Sequence, residues 1–275
     1  MSAPESVGTI MTARVDAVDT RRQTQVSCER VYFSRTRGLC LRREIHFYAA
    51  QTVATVFDAE LNPLSTIRTD GIPSRARVSL DGRYAAFTTF VSGHSYADAH
   101  LSTATLILDL TNGSTVANLE QFTVMRDGKV LQSADFNFWG VTFRRDSNAF
   151  FATLRTGTTT YLVEGDIAAK RMTVVYEGVE CPSLSPDETR IAFKKLIGPV
   201  NWRLTVLNLS TLKETALSET RSVDDQAEWL DNDHVLYAMA DDATAIGVSI
   251  LSVAADGSGQ PRVFAKGAAS PAVIR

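Results

Sequence analysis

Short apolar stretches separated by polar turns recur along the chain with a period of about 40 residues, as in propeller repeats. The clearest unit runs from Cys181 to Glu219 and contains four stretches with strand patterning. Its first two strands are separated by a turn in which Pro186 fixes φ and the Asp187 carboxylate can bond backbone amides. The pattern therefore predicts a four-stranded antiparallel unit.

The same order of apolar strand, Asp-containing turn and apolar strand recurs at Arg77–Phe87, Val141–Phe151 and Ala227–Tyr237. The turn residues Asp146, Asp187 and Asp231 follow one another at intervals of 41 and 44 residues, whereas Asp81 precedes Asp146 by 65, which indicates one enlarged repeat. This spacing predicts an all-β fold, a single β-propeller of four-stranded antiparallel blades.

The two ends of the chain predict how the ring closes. Ala269–Arg275 repeats the opening of the unit at Cys181 and stops after one strand, while Val7–Ala17 and Gln23–Ser27 have the pattern of third and fourth strands. Pairing them would remove exposed sheet edges. We therefore predict six blades, at 28–69, 75–130, 139–178, 181–220, 226–265 and a composite of 270–275 with 7–27. Five blades is the alternative, if the N-terminal segment is only an arm.

Composition narrows the classes of partner. The chain has 28 basic and 31 acidic residues, a net charge of −3, and so lacks the electrostatic footprint expected of a nucleic-acid-binding protein. No apolar stretch reaches the length of a membrane span. We expect one monomeric domain over residues 1–275, with 1–6 as a disordered or added leader. The abrupt start is compatible with the loss of an export signal or anchor.

The three cysteines leave the redox state open. A hairpin turning near Thr36 would place Cys40 opposite about residue 33, away from Cys28. A Cys28–Cys40 disulfide would therefore need a bulge or a looser loop. Cys181 has no predicted partner.

The block Ser185-Pro186-Asp187 followed by Arg190–Phe193 resembles the PD40-type, WD40-like repeats of TolB-type six-bladed propellers. Four connecting stretches resemble a group of actinobacterial TolB-like proteins: Pro73–Val78, Asn137–Phe143, Glu180–Pro186 and Val223–Gln226. The resemblance implies an extracytoplasmic or cell-envelope location. TolB itself has an additional α/β domain that this chain has no room for, so its protein partners are not carried over. The turn also departs from Ser-Pro-Asp-Gly, with Glu188, Ser147 and Asn232 at its last position.

A candidate site follows from propeller geometry, because the first strand of each blade lines the central channel. The linkers entering those strands carry polar groups that would surround one mouth: Arg75, Arg77, Asp135, Asn137, Trp139, Glu180, Asp224, Asp225 and Gln226. One interpretation is a binding mouth for a small polar ligand or a partner's peptide tail. The other is that Asp and Asn tie neighbouring blades through backbone amides and that Trp139 fills space between blades.

The loop Ser92–His100 should project over the same mouth and adds His94 and Tyr96 to the candidate site. His94, Asp98 and His100 have side chains that could bind zinc or manganese, although their spacing matches no defined motif. No other cofactor is predicted. We interpret the chain as a non-catalytic binding or scaffolding propeller that contacts a protein partner or small polar ligand. The alternative is a metal-dependent lyase or hydrolase with its site at the same mouth. An insertion at 116–133 is predicted to form a hairpin turning at Asp127-Gly128, either solvated or a docking flap.

Overall fold

A computed structural model describes residues 8–46, 49–98, 100–244 and 247–275. In this part of the chain the fold is almost entirely β-strand, with a single short 3-10 helix at Leu119–Gln121. No helix among these residues is long and apolar enough to cross a membrane. Residues 1–6, predicted as a leader, lie outside the described residues.

The strands form one two-stranded sheet and five blades of antiparallel strands. The first sheet pairs β1 (Thr9–Thr12) with β2 (Arg22–Ser27). Blade 1 contains β3 (Arg30–Phe33), β4 (Arg37–His46), β5 (Ala49–Asp58) and β6 (Pro63–Asp70). Blade 2 contains β7 (Ile72–Val78), β8 (Tyr84–Ser92), β9 (Ser102–Asp109) and β10 (Ser114–Asn118).

The remaining blades follow in chain order. A hairpin of β11 (Thr123–Arg126) and β12 (Lys129–Leu131) precedes blade 3. Blade 3 contains β13 (Asn137–Phe143), β14 (Ala149–Thr156), β15 (Thr159–Asp166) and β16 (Arg171–Glu177). Blade 4 contains β17 (Glu180–Leu184), β18 (Arg190–Gly198), β19 (Asn201–Asn208) and β20 (Glu214–Ala216). Blade 5 contains β21 (Glu228–Trp229), β22 (His234–Ala240), β23 (Val248–Ala254) and β24 (Arg262–Lys266).

The first strand of each blade is the inner one. In blades 1 to 4 these strands contact one another in sequence, and β17 contacts β21 of blade 5. The apolar faces of neighbouring blades pack together, as where Phe151 and Leu162 of blade 3 meet Ile191 and Phe193 of blade 4. The predicted propeller of four-stranded blades is confirmed.

The predicted hairpin at Asp127-Gly128 is present, but it belongs to a different blade from the one expected. Both turn residues have positive φ, 51° and 75°, as a two-residue type I′ turn requires. β11 pairs in parallel with the outer strand β16, so the hairpin widens the sheet of blade 3 to six strands. Blade 2 therefore ends near Asn118, not at residue 130.

The structure has five complete blades, the count given as the alternative, and the composite sixth blade is wrong. Among the described residues β1 and β2 pair only with each other, and no strand lies in 270–275. The C-terminal segment instead holds its place by side chains: Val273 packs with Leu236 and Ile250 of blade 5 and with Val18. β2 buries no residue fully, so this region has too little apolar surface for a further sheet layer.

Cys28 and Cys40 form a disulfide, contrary to the register expected from the sequence. The hairpin turns one residue earlier than predicted, so that Phe33 pairs with Gly38 and Cys40 lies opposite Val31. Glu29 then bonds its backbone N–H to the Leu41 carbonyl, which brings the preceding residue, Cys28, beside β4. Cys181 is free and buried.

Candidate functional site

The central channel has two mouths with different chemistry. The inner strands begin at one of them, called here the entry mouth, around Ile72, Asn137 and Glu180. They end at the other, the exit mouth, around Val78, Phe143 and Leu184. Because second strands run antiparallel to the first, the hairpins joining second and third strands also lie at the entry mouth.

Bulges shape the entry mouth. In blades 2, 3 and 4 the register between the inner strand and the second strand shifts near the entry mouth. The shifts lie between Pro73 and Arg75, between Trp139 and Thr142, and between Glu180 and Ser183. A bulge turns the side chains that follow it and ends regular pairing. In blade 4 the bulge leaves Glu180 directly opposite Lys194 of β18.

Lys194 is the centre of the entry mouth. Its side chain is fully buried, yet its ammonium group donates a hydrogen bond to Asp224 and lies 4.0 Å from Glu180 Oε2. Its Nζ also lies 4.3 Å from the ring centroid of Trp202. Burial of an ammonium group is costly unless a carboxylate pairs with it. Asp224 is this partner, and its side chain, which is 48% exposed, reaches the surface.

Arg75 joins the same cluster from blade 2. Its guanidinium lies 3.7 Å from Asp224 Oδ1 and 5.1 Å from the centroid of the Tyr96 ring. Tyr96 is buried, bonds through its hydroxyl to Ser74 and stacks on Trp139 at 4.5 Å. The aromatic pair thus packs one side of the cluster, and both rings are covered by protein.

Burial and charge act in opposite directions on the two acids. Burial disfavours ionisation of Asp224, but Lys194 and Arg75 outweigh it and hold the pKa of Asp224 below its ordinary value. Burial raises the pKa of Glu180, with only partial compensation from Lys194. Trp202 Nε1 donates to Glu180 Oε1 at 3.2 Å, whereas Oε2 has no hydrogen-bond partner among the described residues. Asp224 is therefore the ionised acceptor that the entry mouth presents to solvent.

Four other predicted site residues hold loops and blades together. Asp225 accepts from the Ala238 amide at 3.0 Å, and Gln226 donates to the Pro182 carbonyl at 2.9 Å. Asn137 accepts from the Thr103 amide at 2.9 Å, and Asp135 accepts from the Gly157 amide at 2.6 Å. Asn137 and Gln226 thus join neighbouring blades, whereas Asp225 and Asp135 bond within their own blade, not between blades as one interpretation of the sequence expected.

The three residues predicted as metal ligands do not converge. Asp98 Oδ2 accepts from the backbone amides of His94 and Ser95 at 2.8 and 3.1 Å, so its carboxylate shapes the loop. His94 and His100 are exposed. Across the described ranges no group of three His, Cys, Asp or Glu side chains is arranged to hold a metal ion.

Arg77 points away from the other predicted residues, towards the exit mouth. It forms an ion pair with Glu228, and its Nη2 donates to Ser183 Oγ at 3.3 Å and to the Ala227 carbonyl at 3.2 Å. Arg275 Nη1 donates to the other oxygen of Glu228 at 3.0 Å. These groups lie at a cavity of about 110 Å³ that opens at the exit mouth.

Exposed aliphatic side chains surround the entry mouth. The blade 4 hairpin carries Leu196, Ile197 and Val200, which are 47%, 54% and 66% exposed. Ile45 of blade 1 and Val91 of blade 2 are exposed at corresponding hairpins. The three aliphatic side chains of the blade 4 hairpin lie within five residues of one another, whereas those of blades 1 and 2 are single.

Sequence reasoning missed Lys194, Trp202 and Glu228. A signal for Lys194 was present, because it lies two residues after the core residue Ala192 on β18 and so shares its inward face. Glu228 follows the predicted linker directly and begins an inner strand. Trp202 carried no such signal, since a Trp that opens a strand is as common in a core as in a site.

No protein-family model and no curated protein sequence matches this chain. Solved structures do. TolB from Acinetobacter baumannii superimposes with a TM-score of 0.66 at 16% identity over 96% of this chain and 62% of that protein. The fold is that of the TolB propellers. The chain spans less than two thirds of that TolB.

Other propellers share the TolB-like fold at lower similarity. A putative TolB from Agrobacterium tumefaciens has a TM-score of 0.59 at 14% identity, over 89% of this chain and 84% of that protein. An oligogalacturonate lyase in complex with manganese has a TM-score of 0.51 at 8% identity, over 80% of this chain and 62% of that protein. At these identities the similarity concerns the TolB-like fold alone.

Proposed function

We propose that this protein is a non-catalytic binding propeller that docks a protein partner on its entry mouth. The observation that carries the proposal is the blade 4 hairpin, which exposes Leu196, Ile197 and Val200 immediately after the buried Lys194. Protein interfaces bury apolar side chains together with a few hydrogen-bonded polar groups, and this mouth exposes both kinds.

Asp224 supplies the polar part of this interface. Lys194 and Arg75 hold it ionised and restrict its motion, so it presents a fixed acceptor for a donor group of the partner. A pre-oriented charge costs little entropy on binding. The proposed occupant is therefore a protein segment with apolar side chains flanking one basic or amide group.

The proposal includes an extracytoplasmic location. The Cys28–Cys40 disulfide supports it, because disulfides persist mainly in oxidising compartments. The TolB-like fold is consistent with this location.

A photo-crosslinking residue placed at Val200 tests the proposal, with Val263 on the outer strand of blade 5 as the control, since that side chain is 53% exposed. We expect a specific adduct from position 200 and none from position 263. With the purified partner, Ile197→Asp and Asp224→Lys should each weaken binding at least about tenfold, and Val263→Asp should leave it unchanged.

Three outcomes would contradict the proposal. Equal adducts from both positions would mean that the entry mouth is not the interface. Stoichiometric metal in the purified protein, lost together with a hydrolytic or lyase activity in His94→Ala and His100→Ala, would favour the metal-dependent enzyme. Saturable binding of a small polar compound at Asp224, without an adduct, would replace the protein partner by a small ligand.

A further inference from the structure

The cavity at the exit mouth has apolar walls and a charged floor. Its volume is about 110 Å³, and its walls include Phe33, Val78, Leu80, Phe143, Leu184 and Val273. An apolar cavity of about 150 Å³ holds a benzene molecule, so this one suits a ligand of similar or smaller size. It lies at the end of the channel opposite Asp224 and stands independently of the proposed partner site.

The floor carries more positive than negative charge. Glu228 is 2% exposed and receives hydrogen bonds from Tyr32 and Arg275 while pairing with Arg77. Two guanidinium groups thus share one carboxylate, and both belong to the cavity lining. Arg77 is itself buried, and its Nε has no hydrogen-bond partner among the described residues.

The rim is balanced in charge. Glu188 accepts from the Arg145 amide at 2.6 Å and lies 3.5 Å from Arg144 Nη1, while Arg144 Nε donates to Glu164 at 2.8 Å, so two arginines accompany two acids. Arg145 and Glu188 line the cavity. The excess positive charge therefore lies at the floor, where Arg77 is buried and two arginines share Glu228, and a bound anion would compensate it. Arginine is well suited to carboxylates, because its planar group can donate two parallel hydrogen bonds.

We infer that the exit-mouth cavity binds a small organic monocarboxylate, with the carboxylate at the Arg77–Glu228–Arg275 floor and a short aliphatic body against the apolar walls. The net charge of the floor matches one negative charge. The apolar walls favour an organic acid over inorganic phosphate, which would leave them in contact with a fully hydrated ion.

Methyl-detected NMR of the full chain tests this with two isosteric probes, 2-methylpropanoate and its uncharged amide. The carboxylate should produce saturable shifts at the methyl groups of Val78, Leu80, Leu184 and Val273, and should leave Val130 unshifted. The amide should bind at least tenfold more weakly, and inorganic phosphate should not displace the carboxylate.

Two variants with a matched control complete the test. Arg275→Gln removes the floor's excess charge, and Leu80→Glu adds a negative charge at a half-exposed wall position, so each should weaken carboxylate binding at least tenfold. Val130→Glu makes the same charge change on the distant β11–β12 hairpin and should leave binding unchanged. Equal binding of acid and amide, shifts outside the cavity, or no saturable shifts would overturn the inference. None of these outcomes bears on adducts at Val200, so the two proposals fail separately.

Discussion

Arg75 and Arg77 lie two residues apart on the inner strand β7, yet they pair with acids at opposite ends of the channel. Arg75 meets Asp224 at the entry mouth, and Arg77 meets Glu228 at the exit mouth. Residues two apart on a strand share a face, so both side chains lie on the channel face of β7. One inner strand thus supplies a cation to each mouth. The channel therefore contains two charged centres.

Lys194 and Lys195 provide a direct comparison of a buried and an exposed ion pair. Lys194→Met should lower the free energy of unfolding by about 1–3 kcal/mol, because Asp224 and the buried Glu180 lose their shared cation. Lys195 pairs with Glu214 but is 40% exposed, so Lys195→Met should change it by less than about 0.5 kcal/mol. Urea unfolding measures both, and equal losses would contradict the assigned role of Lys194.

Glu219 should make stability depend on acid pH. Burial alone would raise its pKa, but hydrogen bonds from Arg221 and Tyr237 outweigh burial and lower the pKa of Glu219 to about 2 from 4.5. Its folded-state pKa is depressed, so this stabilisation is present above about pH 4.5 and is lost as the pH falls towards about 2.

The variant Glu219→Gln tests this linkage. The difference in unfolding free energy between wild type and variant should be on the order of 2 kcal/mol near pH 7 and should shrink steadily below about pH 4.5. Urea unfolding at several pH values measures it. A difference that is constant with pH would show that Glu219 titrates normally.

The turn between the first and second strands of blade 4 depends on an aspartate. Asp187 Oδ1 accepts from Ser185 Oγ at 2.6 Å and from the amide and hydroxyl of Thr189 at 3.1 and 2.8 Å. Asp187→Ala should destabilise by about 1 kcal/mol through these lost bonds. Asp187→Asn keeps one acceptor oxygen and should cost less. Equal losses for the two variants would mean that the acceptor is unimportant.

The Cys28–Cys40 disulfide predicts how many thiols react before and after reduction. Under denaturing but oxidising conditions a thiol reagent should titrate one cysteine per chain, Cys181, and three after reduction. Reduction should also lower stability by about 2–4 kcal/mol, because the short loop closed by the bond is freed in the unfolded chain. Three reactive thiols before reduction would contradict the pairing.

The turn aspartates at Asp81, Asp146, Asp187 and Asp231 were sufficient to predict the first hairpins of blades 2 to 5, because each turn bonds its own backbone. The pairing of Cys28 could not be predicted, since it depends on whether a hairpin turns one residue earlier. That Arg75 and Lys194 both lie over the Tyr96 ring could not be predicted either, because the two residues belong to different blades. Local bonds repeat with the sequence, whereas contacts across the ring depend on how the blades are arranged.

The junction between blade 5 and blade 1 also determines how the molecule responds to force. Among the described residues it is bridged by hydrogen bonds from Tyr32 of blade 1 to Glu228 of blade 5 and from Arg35 of the β3–β4 turn to the Arg275 carbonyl, not by a ladder of backbone hydrogen bonds. Tension applied between the chain's two ends acts on this junction before it reaches any four-stranded sheet. We expect the ring to open there at low load, while the five blades remain folded.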